Sequence, residues 1–216
     1  MKFSFFPLLV SFLLTFLSLD IQAADIDRLF ASVPQSVMPM LDQSGKLDLL
    51  DLYNGGLTSK CENRFGGQTE MISKTASGIE LVTSNVGRWQ MVVLPVEADT
   101  IIMTLHTLDA MGKSTDVRFY DTRWTPQPET VVTLKVPPFE SFWCPPIGLD
   151  ANQMNVYANL LREAPISAKW DPSHQTLEFS ISTSALDAGI REQAAKCIYP
   201  VKLRFERKEA GWGFVE

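Results

Sequence analysis

TEMISKTASGIELVTSNVGRWQMVVLPVEADTIIMTLHTLDAMGKSTDVRFYDTRW, residues Thr69 to Trp124, decides the fold of this 216-residue chain. Short apolar runs are cut by turn residues, and no helical period runs through them. Met71-Ile72 lead to the turn Ser77-Gly78, Ile79 to Val82 lead to Asn85-Val86-Gly87, and Trp89 to Val96, Ile101 to Leu108 and Val117 to Tyr120 follow. Strands separated by turn signals at this spacing predict an antiparallel meander. Met91-Val92-Val93-Leu94 and Ile101-Ile102-Met103 are apolar at every position, which places them centrally with both faces covered. Val117 and Phe119 alternate with Asp116, Arg118 and Tyr120, so that strand is expected to turn one face, Tyr120 included, to water.

On the N-terminal side, Asp25 to Val33 reads as a short helix with Leu29 and Phe30 inward, stopped by Pro34. Lys46 to Tyr53 reads as a second, with Leu49, Leu52 and Tyr53 on its apolar stripe and Gly55-Gly56 ending it. Leu57 to Phe65 leads into the sheet through the turn Gly66-Gly67.

On the C-terminal side, Thr125 to Pro146 carries Pro126, Pro128, Pro137, Pro138, Pro145 and Pro146, the composition of a connector. Val131 to Val136 offers one more strand within it. Gln153 to Leu161 places Met154, Tyr157, Ala158 and Leu161 at i, i+3, i+4 and i+7, a helix. Ile166 to Trp170 and Thr176 to Ser182 form a hairpin through Asp171-Pro172-Ser173-His174. Ser184-Ala185-Leu186-Asp187 has capping-box form and starts a third helix, with Ile190, Ala194 and Cys197 inside. Val201 to Phe205 and Gly211 to Phe214 are the last strands.

Segregated helices and antiparallel strands define an α+β class: an antiparallel β-meander sheet with short helices. Helices precede strands twice, at 24–124 and again at 151–216 with the connector 125–150 between them. The chain is then either two tandem helix-plus-antiparallel-sheet units or one continuous domain.

The first 23 residues read as a signal peptide. Lys2 supplies the positive charge, Phe3 to Leu19 the apolar run, and Asp20 to Ala23 a polar region ending in a small residue. Cleavage there implies an exported protein, periplasmic or facing outward, without stable membrane insertion. Lys2 and Asp20 cancel, so the mature chain keeps the net charge of −6. An acidic chain without a basic cluster lacks the footprint of a nucleic-acid binder or of a protein held by anionic lipid. Cys61, Cys144 and Cys197 allow one disulfide at most, or stand as three small buried hydrophobes, and spacing does not choose among the three pairings.

Chemistry-bearing patterns are few. Asp48 and Asp51 are neighbours on the predicted helix, as a paired-carboxylate or cation site requires and as solvated helix carboxylates also are. His106 falls in a predicted strand and His174 in a predicted turn, neither with zinc-ligand spacing. No phosphate loop, EF-hand loop or nucleophile elbow is present in the sequence, so no metal, cofactor or catalytic residue is assigned. Phe139, Phe142 and Trp143 gather three aromatics in a proline-bounded segment. Exposed, they are candidate ligand-binding residues; buried, as large apolar side chains usually are, they pin the connector.

Val33-Pro34-Gln35-Ser36-Val37-Met38-Pro39-Met40-Leu41, Lys46 to Tyr53, Val117-Arg118-Phe119-Tyr120-Asp121-Thr122-Arg123-Trp124 and Gly211-Trp212-Gly213-Phe214 stand in this order. In that arrangement the chain resembles the exported Bacteroidales family known as domain of unknown function 3256, over nearly the whole mature length. The resemblance implies an envelope protein without an assigned activity, so it carries no functional residues over. Asp99-Thr100-Ile101 also matches the short O-glycosylation acceptor pattern of such bacteria. The reading that fits these features is a non-catalytic envelope module that binds a protein, peptide or glycan through the sheet face or the aromatic connector. The alternatives are an envelope hydrolase, using Asp48, Asp51, His106 or His174, and a structural subunit.

Overall fold

The computed structural model describes residues 26–94, 96, 100–209 and 211–216. The expected signal peptide and Asp99 of the acceptor pattern lie outside them. Residues 26–31 form helix α1 and Gln43–Asn54 form α2. Next come β1 (Lys60–Glu62), β2 (Gln68–Thr75), β3 (Gly78–Val82), β4 (Gly87–Leu94), β5 (Ile101–Asp109) and β6 (Lys113–Tyr120). These strands pair in sequence order, each antiparallel to the next, as the alternating apolar runs predict. Between Met71 and Ser73 the register shifts, leaving Ile72 as a bulge on the exposed side. At the β3–β4 turn, a Cβ on Gly87 would stand 2.5 Å from Thr83 Oγ1 and 2.7 Å from Ser84 Oγ, so a larger residue there has to displace both hydroxyls.

The two apolar strands occupy interior positions of the sheet and use both faces. Trp89, Met91 and Ile102 turn toward α1, α2 and the buried Met38 and Leu41. Val92, Leu94, Ile101, Met103 and Leu105 turn the other way, toward the C-terminal half. β6 differs from expectation at one residue. Asp116 and Arg118 are exposed, but Tyr120, on the same face, is 4 % exposed. It closes the end of the helix-side core against Trp124, ring centroids 5.5 Å apart. Trp124 in turn donates its indole N–H to Ser32 Oγ at 3.1 Å, fastening the end of α1 to the end of the sheet.

The C-terminal half supplies β7 (Val132–Thr133), α3 (Phe139–Phe142), α4 (Ala151–Arg162), β8 (Ile166–Asp171), β9 (Thr176–Ile181), α5 (Ala188–Ala195), β10 (Val201–Lys208) and β11 (Gly211–Val215). The second sheet has the order β7-β11-β10-β9-β8. It is mixed rather than purely antiparallel, because β7 runs parallel to β11. That pairing brings the Val131 carbonyl within 2.8 Å of where a Cβ would sit on Gly211, which has φ +100°. Leu177, Phe179, Val201, Leu203, Phe205 and Phe214 form the buried face of this sheet and meet the meander across a common core. Its other face carries Glu178, Lys202 and Arg204, giving the clean alternation of a half-buried sheet.

Two helix starts differ from the sequence reading. α4 begins at Ala151, ahead of Gln153, because the Asp150 carboxylate accepts from the N–H groups of Asn152 and Gln153. α5 begins at Ala188, after the expected cap. The Ser184 hydroxyl is engaged by Ser182 Oγ at 2.9 Å, and Arg191 donates to the carbonyls of Ser184 and Leu186, so 183–187 is held as a turn.

Candidate functional site

Strand order leaves β8 at the end of the second sheet's ladder, with β9 as its only ladder partner among the described residues. The register fixes which groups point outward. Ser182 N–H donates to Pro165 O, so 165, 167, 169 and 171 face β9 and the backbone groups of 166, 168 and 170 face away. The Ala168 carbonyl follows this rule and accepts from Thr115 Oγ of β6 at 3.4 Å. Beyond that contact the backbone of Trp170 makes no further backbone hydrogen bond among the described residues.

A cleft of about 650 Å³ opens at this edge. One wall is β8 with Ala168, Lys169, Trp170 and Pro172; the floor is the uncovered half of the meander, where Glu80, Arg88, Gln90 and Thr107 share the face that is apolar further along. A shallower pocket lined by Ser73, Thr75 and Ser77 continues it past Trp170 and Pro172. The carboxylates of the cleft already have cations, Glu80 with Arg88 at 3.4 Å and Glu178 with Lys202 at 3.2 Å. Lys113 and Lys169 face the cleft with no carboxylate in ion-pair range among the described residues. On a chain of net charge −6 the cleft is therefore locally cationic. A second cleft, about 680 Å³, lies between Arg123, Arg207 and Trp212.

The residues singled out from sequence fall elsewhere. Phe142 is 1 % exposed and part of the core between the sheets. Phe139 and Trp143 are half-buried and pack on each other, centroids 5.4 Å apart, and the Arg162 guanidinium lies 4.6 Å over the Phe139 ring. This arrangement fixes α3 against α4 through side-chain packing and a cation–π contact.

Asp48 and Asp51 are exposed on α2, His106 lies half-buried on the helix-side face of the meander, and His174 is on the β8–β9 turn. The four do not converge on one pocket. His174 Nδ1 is 2.7 Å from Asp171 Oδ2, and this hydrogen bond, with another from Ser173 N–H, holds the Asp171 carboxyl below the usual range. The pair closes the turn, and no second side-chain partner of the ring is present among the described residues. No group of three or more His, Cys, Asp or Glu side chains that could hold a metal ion occurs among the described residues. Nor is any of their helices long and apolar enough to cross a membrane.

A family model described as protein of unknown function (DUF3256) matches residues 18–209. The chain belongs to this family. Among solved structures, the DUF3256 chain is similar to a domain of an uncharacterized protein from Porphyromonas gingivalis W83, with a TM-score of 0.68 and 20 % identity over 88 % of this chain and 96 % of that one. At that identity the likeness bears on the fold alone. No curated protein matches the chain.

Proposed function

We propose that this chain is an exported envelope module that binds an extended, acidic peptide segment of a partner protein as a short added strand at the Trp170 end of β8. The observation that carries the reading is the free end of the β8 edge, at Trp170, beside a cationic cleft; at Ala168 the edge lies against Thr115 of β6. An edge strand with unpaired N–H and C=O groups is a template for another strand, and main-chain bonds then supply affinity while flanking pockets select side chains. Here Trp170 offers the backbone groups, Gln90 and Thr107 line the floor, and Lys113, Lys169 and Arg88 stand where acidic side chains of an incoming strand would project. The aromatic connector is packed for holding α3 and α4 together, so the sheet edge is the better seat.

The test is fluorescence anisotropy with labelled dodecapeptides of high strand propensity, acidic, neutral and basic, alongside labelled peptidoglycan fragments. Acidic peptides are expected to bind, and N-methylation at alternate residues of the peptide should weaken binding at least tenfold by removing its ladder donors. Lys169→Glu, at an exposed position, should weaken acidic peptides by a similar factor with an unchanged circular dichroism spectrum. Binding insensitive to N-methylation, or binding of glycan fragments alone, would overturn the proposal.

A further inference from the structure

The proline-bearing segment meets the end of α5 in antiparallel register. Trp143 and Ile198 pair across an isolated bridge. On one side of it Tyr199 N–H donates to Phe142 O at 2.9 Å, and on the other Cys144 N–H donates to Cys197 O at 2.8 Å. In that register Cys144 stands opposite Cys197. One backbone bond joins the pair, the Cys197 N–H donating instead to the Ala194 carbonyl at 3.0 Å; opposed residues of an antiparallel pair have Cα atoms about 4.5–5.5 Å apart, within the span of roughly 4.4–6.8 Å that a disulfide bridges.

Cys61 is placed apart from both. It lies on β1 with Sγ 3.7 Å from the Gly45 carbonyl of α2, packed against the helix-side core, whereas Cys197 belongs to the core between the sheets. The meander stands between these two cores, so of the three pairings only one needs no unfolding.

We infer that Cys144 and Cys197 form an intramolecular disulfide when the folded chain meets a small-molecule or protein disulfide oxidant, and that Cys61 stays a thiol. The two sulfurs differ in access: Cys144 is exposed, while Cys197 is fully buried with Sγ 3.5 Å from the Gln193 carbonyl. The exposed thiolate therefore attacks the oxidant first, giving a mixed disulfide at Cys144 and releasing one thiol of the oxidant. Cys197 then rotates from Gln193 and attacks the Cys144 sulfur, forming the internal bond and releasing the second thiol. The pair loses two electrons, the oxidant's disulfide gains them, and the two cysteine protons end on the departing thiols.

The bond closes a loop containing α4, β8, β9 and α5 and clasps α3, with the buried Phe142, to the strand that leads into β10. Its formation turns a junction held by two backbone bonds into a covalent one. This inference does not depend on the peptide-binding reading.

The purified chain is incubated with oxidised glutathione under native conditions, blocked with N-ethylmaleimide and digested with trypsin without reduction. The expected product links peptides 136–162 and 197–202 and is two hydrogens lighter than their sum, with Cys61 recovered alkylated. Oxidation should also raise the melting temperature by about 5–10 °C through loop closure in the unfolded chain. Cys144→Ser should abolish that rise and Cys61→Ser should leave it intact; both positions lie outside the fully buried set, so neither variant threatens folding. Recovery of Cys144 and Cys197 both alkylated, of a persistent glutathione adduct on Cys144, or of any bridge to Cys61 would overturn it.

Discussion

His106 stands within β5, opposite Trp89 of β4 and Asp116 of β6, half-buried on the helix-side face. Burial pushes its imidazole below the ordinary histidine range; the Asp116 carboxylate opposes this and the Arg118 guanidinium adds to it. The unfolded chain, with a histidine pKa of about 6.5, therefore binds more protons than the folded one in the window below that value. The stability His106 contributes is present above the unfolded pKa and is lost as pH falls through the lower folded pKa. In urea titrations at pH 7.5 and pH 5, the wild-type midpoint should fall further than that of His106→Gln; equal falls would show that the imidazole is not desolvated. The strand pattern places His106 without showing its burial, and the helix pattern likewise hides Lys46, which is 4 % exposed and donates to the Val33 carbonyl at 2.6 Å. That carbonyl lies at the close of α1, ahead of a proline that has no N–H, and the need for a donor there is set by tertiary packing.

At the scale of elements, the turn between β1 and β2 hangs on one side chain. Asn63 is 7 % exposed; its Oδ1 accepts from the N–H groups of Phe65 and Gly67, both at 3.1 Å, and its Nδ2 donates to the Thr83 carbonyl at 3.2 Å. The side chain thus shapes its own turn and ties it to the end of β3. Asn63→Ala leaves these buried groups without partners and should cost about 2–3 kcal/mol, measured by urea unfolding. Asn63→Asp keeps the acceptor but sets a carboxylate against the Thr83 carbonyl, so it should be no milder at pH 7. A loss under 0.5 kcal/mol in both would show that water replaces the amide at little cost.

The strands themselves were legible because period-two alternation and turn residues are local signals, and the continuous apolar runs of β4 and β5 announced their two covered faces. Features set by distant partners were not. Two residues of β7 carry no pattern from which a parallel pairing with β11 is readable, and the start of α5 depends on Ser182 and Arg191. The candidate cleft is of the same kind. No spacing brings Gln90 to Trp170, and which part of the β8 edge stays free depends on where β6 lies against it.

Over the whole molecule, the meander is a wall shared by two cores, and this governs how the chain unfolds. Ile102 and Met103 are consecutive and both fully buried, yet Ile102 packs with α1 and α2 while Met103 packs with the second sheet. Truncating either to alanine should cost about 2–5 kcal/mol. If the wall couples the two sides, either loss is felt by both, since neither the helices nor the second sheet keeps a buried face once β4 and β5 separate. Native-state hydrogen exchange resolves this, because the slowest amides report the global opening and faster ones report local opening. With Ile102→Ala, amides of β9 and β10 should lose as much protection free energy as those of β3 and β4, although no side chain of β9 or β10 belongs to the core that Ile102 fills. Met103→Ala should produce the mirror result in β3. Protection lost on only one side of the wall in each variant would mean that the halves open separately, and a strand added at β8 would then stabilise the second sheet alone.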